Sequence, residues 1–181
     1  AEAMRQSLHY SQEQTLLDYG AGTGLVTLKL QSEVKKVYAI DSSAGMLAVL
    51  TEKLNKTGIA NVEPVLWDFE QEPWQKEPVD IIVSSMTLHH IKDTRKLVTA
   101  LYTILNPGGQ IAIADLDSDN GEFHDDPTGV EHNGFDREKL KNLFQNAGFI
   151  DIMVTDAYTI RKPIKTGQMR DFTIFLLTAT K

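Results

Sequence analysis

The chain has 181 residues, a formal net charge of −7 and a pI near 5.2. Its length suits one domain with one large core, and a hydrophobic fraction of 41% with a charged fraction of 24% is ordinary for a globular protein. The absence of cysteine excludes disulfides, thiolate metal sites and cysteine nucleophiles. The acidic balance disfavours a nucleic-acid partner, because binding to phosphates depends on Lys and Arg.

Nothing in the sequence resembles a membrane anchor or a secretion signal. No apolar run approaches the roughly 18 residues that a membrane-spanning helix requires, and residues 1–14 are mostly polar. We therefore expect a cytoplasmic protein without membrane partners. The length predicts a single domain over residues 1–181, in which residues 1–15 form a short N-terminal helical segment.

Short apolar runs alternate with helical patterns along the chain. Runs rich in Val, Ile and Leu predict five strands, at residues 16–19, 36–40, 62–67, 80–84 and 110–114. Helical spacing and helix-end residues predict four helices: from about Leu25, through 46–54, from Asp93 to 105, and from Asp136 to 147. The residues 106–109, Asn-Pro-Gly-Gly, predict a turn between the second of the longer helices and the fifth strand.

Two further runs, at 149–154 and 172–179, predict strands that no helical pattern separates. The polar stretch 161–170 between them contains Pro and Gly, which predicts an antiparallel hairpin. Alternation of strands and helices elsewhere requires crossover units and a parallel sheet covered on both faces. We predict an α/β fold with a doubly wound, seven-stranded, mostly parallel sheet. Its last strand, at 172–179, is antiparallel and lies at an edge.

The strongest motif follows the first predicted strand and runs Asp18-Tyr-Gly20-Ala-Gly22-Thr-Gly24. Three glycines at alternate positions let the backbone turn tightly and approach a ligand without an intervening Cβ. In doubly wound sheets, ligands bind at the carboxyl ends of the strands, which is where this loop lies. Taken alone, a Gly-rich loop is equally compatible with a turn that binds nothing.

Spacing separates two kinds of ligand for this loop. A dinucleotide fingerprint has its third glycine three residues after the second, whereas Gly24 comes only two residues after Gly22. Asp18 precedes the first glycine by two residues, and its carboxylate would repel a pyrophosphate but suits a ligand with an ammonium group. A nicotinamide dinucleotide is therefore disfavoured.

The pattern D-x-G-x-G-x-G resembles motif I of the class I S-adenosylmethionine (SAM)-dependent methyltransferases. Residues 37–41 and 66–69 are similar to the second-strand and third-strand motifs of that family, and 80–91 and 105–109 are similar to its fourth-strand motif and its turn into the fifth strand. The resemblance implies a Rossmann-like fold, SAM as the methyl donor and S-adenosylhomocysteine as the product. It also implies a helical lid before motif I that is longer than residues 1–15.

The resemblance implies a cofactor site as well. In it Asp18 and the glycine loop hold the methionine end of SAM, Asp41 accepts hydrogen bonds from the ribose, and Asp68 holds the adenine. The implied cofactor-binding residues are Asp18, Gly20, Ala21, Gly22, Thr23, Gly24, Asp41, Ser42, Met46, Trp67, Asp68, Phe69, Ser84 and Ser85. Three acids at the ends of three predicted strands, beside one Gly-rich turn, agree with this assignment.

The sequence does not identify a catalytic residue. Methyl transfer from a sulfonium is an in-line displacement, so a base is needed only where the acceptor must first lose a proton. The candidates for such a base are His89, His90, His124 and His132. A structural or pocket-lining role is the commoner use of such histidines.

Residues 115–135 follow the fifth predicted strand, and we expect them to form a loop on the acceptor side of the site. The acids Asp115, Asp117 and Asp119 also resemble the start of a calcium-binding loop. However, Asn120 stands at the sixth position, where that loop requires glycine. We therefore predict no metal site.

The acceptor is restricted mainly by absent motifs. Residues 84–87, Ser-Ser-Met-Thr, stand where amino-methylating enzymes of DNA and of protein glutamine carry N-P-P-Y or D-P-P-Y. Without cysteine the C5-cytosine mechanism is excluded. A small-molecule acceptor is predicted, with an O, N or C acceptor atom, and a protein acceptor stays open. Two alternatives also stay open: a non-catalytic SAM-binding or scaffold subunit that needs a partner, and an aminopropyl transferase that uses decarboxylated SAM.

Overall fold

The computed structural model describes residues 1–69 and 71–181. Among these residues seven strands form one sheet, in the order β3-β2-β1-β4-β5-β7-β6. The strands are β1 (Thr15–Tyr19), β2 (Lys36–Asp41), β3 (Val62–Leu66), β4 (Val79–Ser85), β5 (Leu105–Leu116), β6 (Ile150–Pro163) and β7 (Met169–Thr180). The helices are α1 (Glu2–Ser7), α2 (Thr27–Leu30), α3 (Ala44–Thr57), α4 (Thr94–Ile104) and α5 (Arg137–Ala147), with single 3₁₀ turns at Gln31–Glu33 and Leu88–His90.

Strands β1 to β5 pair in parallel, and β7 is antiparallel to both β5 and β6. The chain builds outward from β1 through β2 to β3, then crosses back to place β4 on the other side of β1. This reversal opens a crevice between the connections that leave β1 and β4, which is where a doubly wound sheet binds its ligand. The predicted fold class and the antiparallel last strand are confirmed.

Side-chain caps and left-handed glycines set the ends of the longer helices. Ser43, Asp93 and Asp136 each accept a hydrogen bond from the backbone three residues later, as N-cap residues do. Helices α3 and α5 end at Gly58 and Gly148, whose φ angles are 69° and 109°. The sequence predicted the starts of α4 and α5 and the end of α5, because caps act through neighbouring residues alone.

Each face of the sheet carries its own core. On one face α4 and α5 bury Leu101 and Phe144 against the apolar side chains of β4, β5 and β7. On the other face α1 and α3 bury Met4 and Leu50 among the inward side chains of β1, β2 and β4. The predicted sheet with helices on both faces is therefore confirmed, and both faces hold the strand ends rigidly.

Three predicted elements need correction. Strand β5 begins at Leu105 and includes the expected turn at 106–109, because Gly108 donates to Lys181 O and Lys181 donates to Gly109 O. The register of β4 and β5 slips between Val79 and Ile81 to absorb these residues. Strand β7 is not an edge strand, since β6 covers it over its whole length. Helix α2 begins at Thr27 rather than Leu25 and has only four residues.

Among the described residues, no helix is both long enough and apolar enough to cross a membrane.

Candidate active site

A cleft with a volume of about 400 Å³ opens at the carboxyl ends of β1, β2 and β4. The residues that line it come from four connections: Tyr19, Gly20 and Gly22 after β1; Asp41, Ser42, Ser43 and Met46 after β2; Trp67 and Asp68 after β3; and Ser85, Met86, Thr87, His90 and Ile91 after β4. The cleft therefore lies at the reversal of strand order, as the fold predicts.

The glycine loop forms the floor of this cleft. The amides of Gly20 and Ala21 both donate to Ile40 O at 2.9 Å, which fixes the start of the loop against β2. Gly20, Gly22 and Gly24 have φ angles of 70°, 54° and 85°, a region that favours glycine. A Cβ on Gly20 would collide with the side chain of Thr87, so the loop after β1 packs directly on the connection after β4.

Asp41 is the last residue of β2 and lies on the cleft surface. Its Oδ2 accepts from Gly22 N and its Oδ1 accepts from Ser43 N, both at 2.8 Å. A carboxylate has about four lone-pair sites, so each oxygen retains one. Asp41 can therefore accept two further donors from a ligand, and the bonds to the backbone hold it ready to do so.

An aromatic wall stands opposite the glycine loop. Trp67 packs edge-on against Trp74, with the ring centroids 5.6 Å apart, and Phe69 stacks on the other side of Trp74. The indole Nε1 of Trp67 is buried and bonds to no described protein group. Asp68 lines the same wall, and the Gln71 side chain donates to its Oδ2 at 2.9 Å. A flat ring that carries both an acceptor nitrogen and an N–H donor fits this combination of indole and carboxylate.

The fourth side of the cleft follows β4. Met86 has a φ angle of 57°, an uncommon conformation for a residue other than glycine, and its amide donates to Ala114 O at 2.8 Å. Ser85 and Met86 also line a second groove of about 400 Å³, formed by α1, β6 and β7. The cleft and this groove therefore share two lining residues, Ser85 and Met86.

The structure brings eight of the predicted cofactor-binding residues to the cleft: Gly20, Gly22, Asp41, Ser42, Met46, Trp67, Asp68 and Ser85. The other six do not line the cleft: Thr23 is half-buried, and Asp18, Ala21, Gly24, Phe69 and Ser84 are buried. Ser84, for example, is buried and donates to Tyr19 O at 2.8 Å. The cleft also contains His90, one of the predicted base candidates, and five residues that the sequence did not single out, although they lie beside the strand ends: Tyr19, Ser43, Met86, Thr87 and Ile91.

Asp18 is fully buried beneath the glycine loop. The Thr27 hydroxyl donates to its Oδ2 at 2.5 Å. Burial raises the pKa of Asp18 to about 6, against the opposing effect of the hydrogen bonds from Thr27. The carboxylate therefore supports the loop from below, and a ligand would contact it only through a change in the loop.

His89 and Asp115 form a buried pair beside the β4 wall. Both side chains are at most 1% exposed, and His89 Nδ1 lies 2.7 Å from Asp115 Oδ1. Asp115 also accepts from the His89 amide at 3.3 Å, and the carbonyl of His89 accepts from the amides of Glu131 and His132. The imidazole is thus fixed on several sides, while its Nε2 bonds to no described protein group.

The four predicted base candidates fall into two groups. His89, His90 and His124 form one cluster, with ring centroids 4.1 Å apart for His89 and His90 and 4.9 Å apart for His89 and His124. His132 instead lies 2.9 Å from Ile91 O through its Nε2, which is a structural contact. Within the part of the chain that the structure describes, no three side chains of His, Asp or Glu are placed to hold a metal ion.

The segment after β5 carries His124 to this cluster. Asp115 and Leu116 belong to β5 itself, so the predicted loop at 115–135 begins two residues later than expected. Residues 118–134, called here the covering segment, are tied to the β6–β7 hairpin. Lys162 Nζ donates to Phe123 O at 2.6 Å, Arg170 pairs with Glu122, and the rings of Phe123 and Phe172 meet edge-on.

Comparison with known proteins agrees with this geometry. A family model described as a methyltransferase domain matches residues 17–113, which includes the glycine loop and the strands that line the cleft. The chain belongs to this methyltransferase family. Its motifs and its sheet are those of the class I SAM-dependent methyltransferase family.

Two curated relatives with similar sequences are longer than this chain. An uncharacterized methyltransferase of Schizosaccharomyces pombe is 33% identical over 149 residues, which cover 74% of this chain and 52% of that protein. The ubiquinone/menaquinone biosynthesis C-methyltransferase UbiE of Escherichia coli is 36% identical over 107 residues, which cover 57% of this chain and 43% of UbiE. The chain thus spans about half the length of the curated relatives named here.

Solved structures show the same fold. Phosphoethanolamine N-methyltransferase 2 of Haemonchus contortus, in complex with S-adenosyl-L-methionine, superposes with a TM-score of 0.79. The superposition covers 98% of this chain and 51% of that one, at 20% sequence identity. The shared architecture therefore persists where most side chains differ.

Substitution of the first two glycines tests the packing of the loop. Gly20→Ala and Gly22→Ala each place a side chain at positive φ, which costs on the order of 1 kcal/mol. Only Gly20→Ala adds a collision with Thr87, since a Cβ on Gly22 has no neighbour within 4 Å. We expect Gly20→Ala to lower the midpoint of thermal unfolding by several degrees more than Gly22→Ala. Equal midpoints would contradict the close approach of the two connections.

The buried carboxyl of Asp18 predicts a pH dependence of stability. The pKa of Asp18 is raised from 3.8 to about 6, so its favourable contribution is complete below pH 3.8 and is lost as the pH rises through 6. Asp18→Asn removes this titration. In urea unfolding, the free energy of unfolding of the variant should rise relative to that of the parent by about 2 kcal/mol between pH 4 and pH 7. A difference that stays constant over this range would contradict the burial of an ionising group; Asp171→Asn, at an exposed position, is the matched control.

Proposed function

We propose that this chain binds SAM in the cleft and transfers its methyl group to a small-molecule acceptor. The observation that carries the proposal is Asp41, held by two backbone amides at the end of β2 with acceptor sites left for a pair of hydroxyl groups. Family membership supports the same donor, since class I enzymes of this kind use SAM.

The lining of the cleft fits the parts of the donor. The ribose hydroxyls would donate to Asp41, the adenine would lie between Met46 and the wall of Trp67 and Asp68, and the methionine end would rest on the glycine loop. The buried Trp67 Nε1, which bonds to no described protein group, supplies a donor for a ring nitrogen or another acceptor atom. The positive φ angles of Gly20 and Gly22 give the close approach that such a ligand requires.

When bound, SAM supplies an electrophilic methyl group on a sulfonium. The chain must hold the acceptor in line with it and exclude water. Residues Ser85, Met86 and His90 stand at the end of the cleft opposite the adenine wall, and the covering segment lies over the neighbouring strand β5. Alignment by these residues, rather than a protein-bound intermediate, is the mechanism that we propose.

Two features favour a small acceptor over a macromolecular one. The net charge of −7 opposes a phosphate backbone. The cleft has a volume of only about 400 Å³, and the covering segment contacts its lining residue His90 through Gly129 O at 2.6 Å. UbiE, by its name a methyltransferase of ubiquinone and menaquinone biosynthesis, also acts on small molecules.

A partner-dependent role is a second candidate, favoured by the groove beside α1. Tyr158 is 68% exposed there, next to Ile160 and Ile174, although β6 and β7 are otherwise well paired. A subunit that needs a partner would bury this groove on association. Methyl transfer by the isolated chain, monomeric by light scattering, would contradict this second candidate.

Calorimetric titration with SAM tests the proposed function. Asp41→Ala removes the ribose acceptor and two backbone hydrogen bonds, and each such loss costs about 1–3 kcal/mol. We therefore expect affinity to fall by at least about tenfold, and the same for S-adenosylhomocysteine. Asp171→Ala, at an exposed site on β7, should bind like the parent. Unchanged affinity in Asp41→Ala would contradict the proposal.

A further inference from the structure

Two buried imidazole nitrogens beside the cleft bond to no described protein group. They are Nε2 of His89, whose side chain is 1% exposed, and Nε2 of His124. Leaving a buried polar atom without a partner costs about 1–3 kcal/mol, so native proteins rarely retain one without a function. These two lie in neighbouring rings, with centroids 4.9 Å apart.

Asp115 fixes the proton position on His89. Its carboxylate accepts from Nδ1, so the neutral ring carries its proton on Nδ1 and its lone pair on Nε2. A carboxylate in this position also stabilises the imidazolium that forms when Nε2 takes a proton, as in a His–Asp pair of a hydrolase. The pair is therefore arranged as a base, with its basic atom on the side away from Asp115.

The His89 ring adjoins the end of the cleft where chemistry would occur. Thr87, His90 and Ile91, on both sides of His89 in the chain, line the cleft. The ring centroids of His89 and His90 are 4.1 Å apart, so the buried pair contacts a side chain that lines the cleft. His124 approaches the same ring from the covering segment.

We propose that His89 and His124 form a binding site for the hydroxyl oxygen of the methyl acceptor, with His89 as its catalytic base and Asp115 as a positioning residue. This inference rests on the proposed function and adds the chemical class of the acceptor, a hydroxyl-bearing small molecule. Neither the family match nor the relatives assign an acceptor atom to this chain.

The reaction balances with the groups named. The acceptor O–H bond breaks and its proton passes to His89 Nε2, while the oxygen forms a bond to the methyl carbon. The carbon–sulfur bond breaks at the same time, and its electron pair stays on sulfur, which becomes a neutral thioether. His89 is left as an imidazolium paired with Asp115, and it returns the proton to solvent when the site opens.

His124 would hold the oxygen rather than take its proton. Burial, followed by the neighbouring charges that His89 and His90 would carry, lowers the pKa of His124. The lowered pKa favours the neutral ring, which with its proton on Nε2 can donate to the oxygen. A neutral partner of this kind avoids two adjacent positive charges once His89 is protonated.

The covering segment must move for an acceptor to enter, because both Nε2 atoms are enclosed. Its attachments are suited to this. They are hydrogen bonds, ion pairs and one ring contact instead of strand pairing. Examples are His90 Nδ1 with Gly129 O at 2.6 Å, the amides of Glu131 and His132 with His89 O, and the edge-on rings of Phe123 and Phe172. Contacts of this type are individually weak and open locally more readily than a core.

A matched pair of acceptor probes tests the base. Catechol must lose a proton to be methylated, whereas 1,2-diaminobenzene has the same shape and attacks through a free lone pair. In His89→Asn we expect turnover of catechol to fall by about 10²-fold or more, with turnover of the diamine within about threefold of the parent. Added imidazole should restore catechol methylation in His89→Ala. His9→Asn, an exposed histidine at the other end of β5, is the control.

Substitutions of the two neighbours separate their roles. His124→Phe removes the donor and should raise KM for catechol with a smaller effect on kcat, and His124→Gln, which retains a donor, should partly restore KM. Asp115→Asn should lower kcat on catechol, because an amide no longer fixes the Nδ1–H tautomer. Equal losses on both probes in every variant would indicate a structural role and overturn the proposal.

A binding measurement gives a readout that is independent of turnover. In NMR spectra of the chain labelled with ¹⁵N-histidine, catechol should change the chemical shifts of the ring nitrogens of His89 and His124. Those of His9 should stay unchanged. The absence of these shifts, or of any O-methylated product, from a chain that binds SAM by calorimetry overturns the proposal and leaves the proposed function intact. Failure to bind SAM would instead overturn the proposed function.

Discussion

The rest of the structure depends on the parallel pairing of β1 with β2 on one side and β4 on the other. Because parallel strands end at the same edge of a sheet, this pairing brings the connections after three strands to one place. The contact between Gly20 and Thr87 then sets how closely two of them approach. Asp41 and His90, separated by 49 positions in the chain, face one cleft for that reason alone.

Several buried polar groups lower the stability of the fold near the cleft. Asp18 and the His89–Asp115 pair all lie behind the cleft surface, and each places a titratable group where an apolar residue would be more stable. Asp18 supports the loop through Thr27, and Asp115 orients His89. The polar groups thus form a second layer that fixes the positions of the residues in the cleft, and this layer is rigid because the two cores enclose it.

Local patterns explain how much of this could be predicted from sequence. The strands, the helix starts at Asp93 and Asp136, and the glycine loop depend on neighbouring residues, and the structure has them as expected. The extension of β5 was not predictable, since it requires Lys181, more than 70 positions away, to pair with Gly109. Strand-end position also does not specify which way a side chain points, so Asp18 and Asp41 looked alike although one is buried and the other lines the cleft. The approach of His124 to His89 has no periodic pattern because an irregular segment makes it.

A crystal structure of the chain with S-adenosylhomocysteine tests the central claim most directly, that the cleft is a donor site with its reactive end toward the β4 connection. The account predicts ribose hydroxyls on the Asp41 carboxylate, adenine against Trp67, and sulfur beside Met86 and His90. A ligand bound in the groove beside α1, or bound in the cleft with its sulfur toward Trp67, would contradict it.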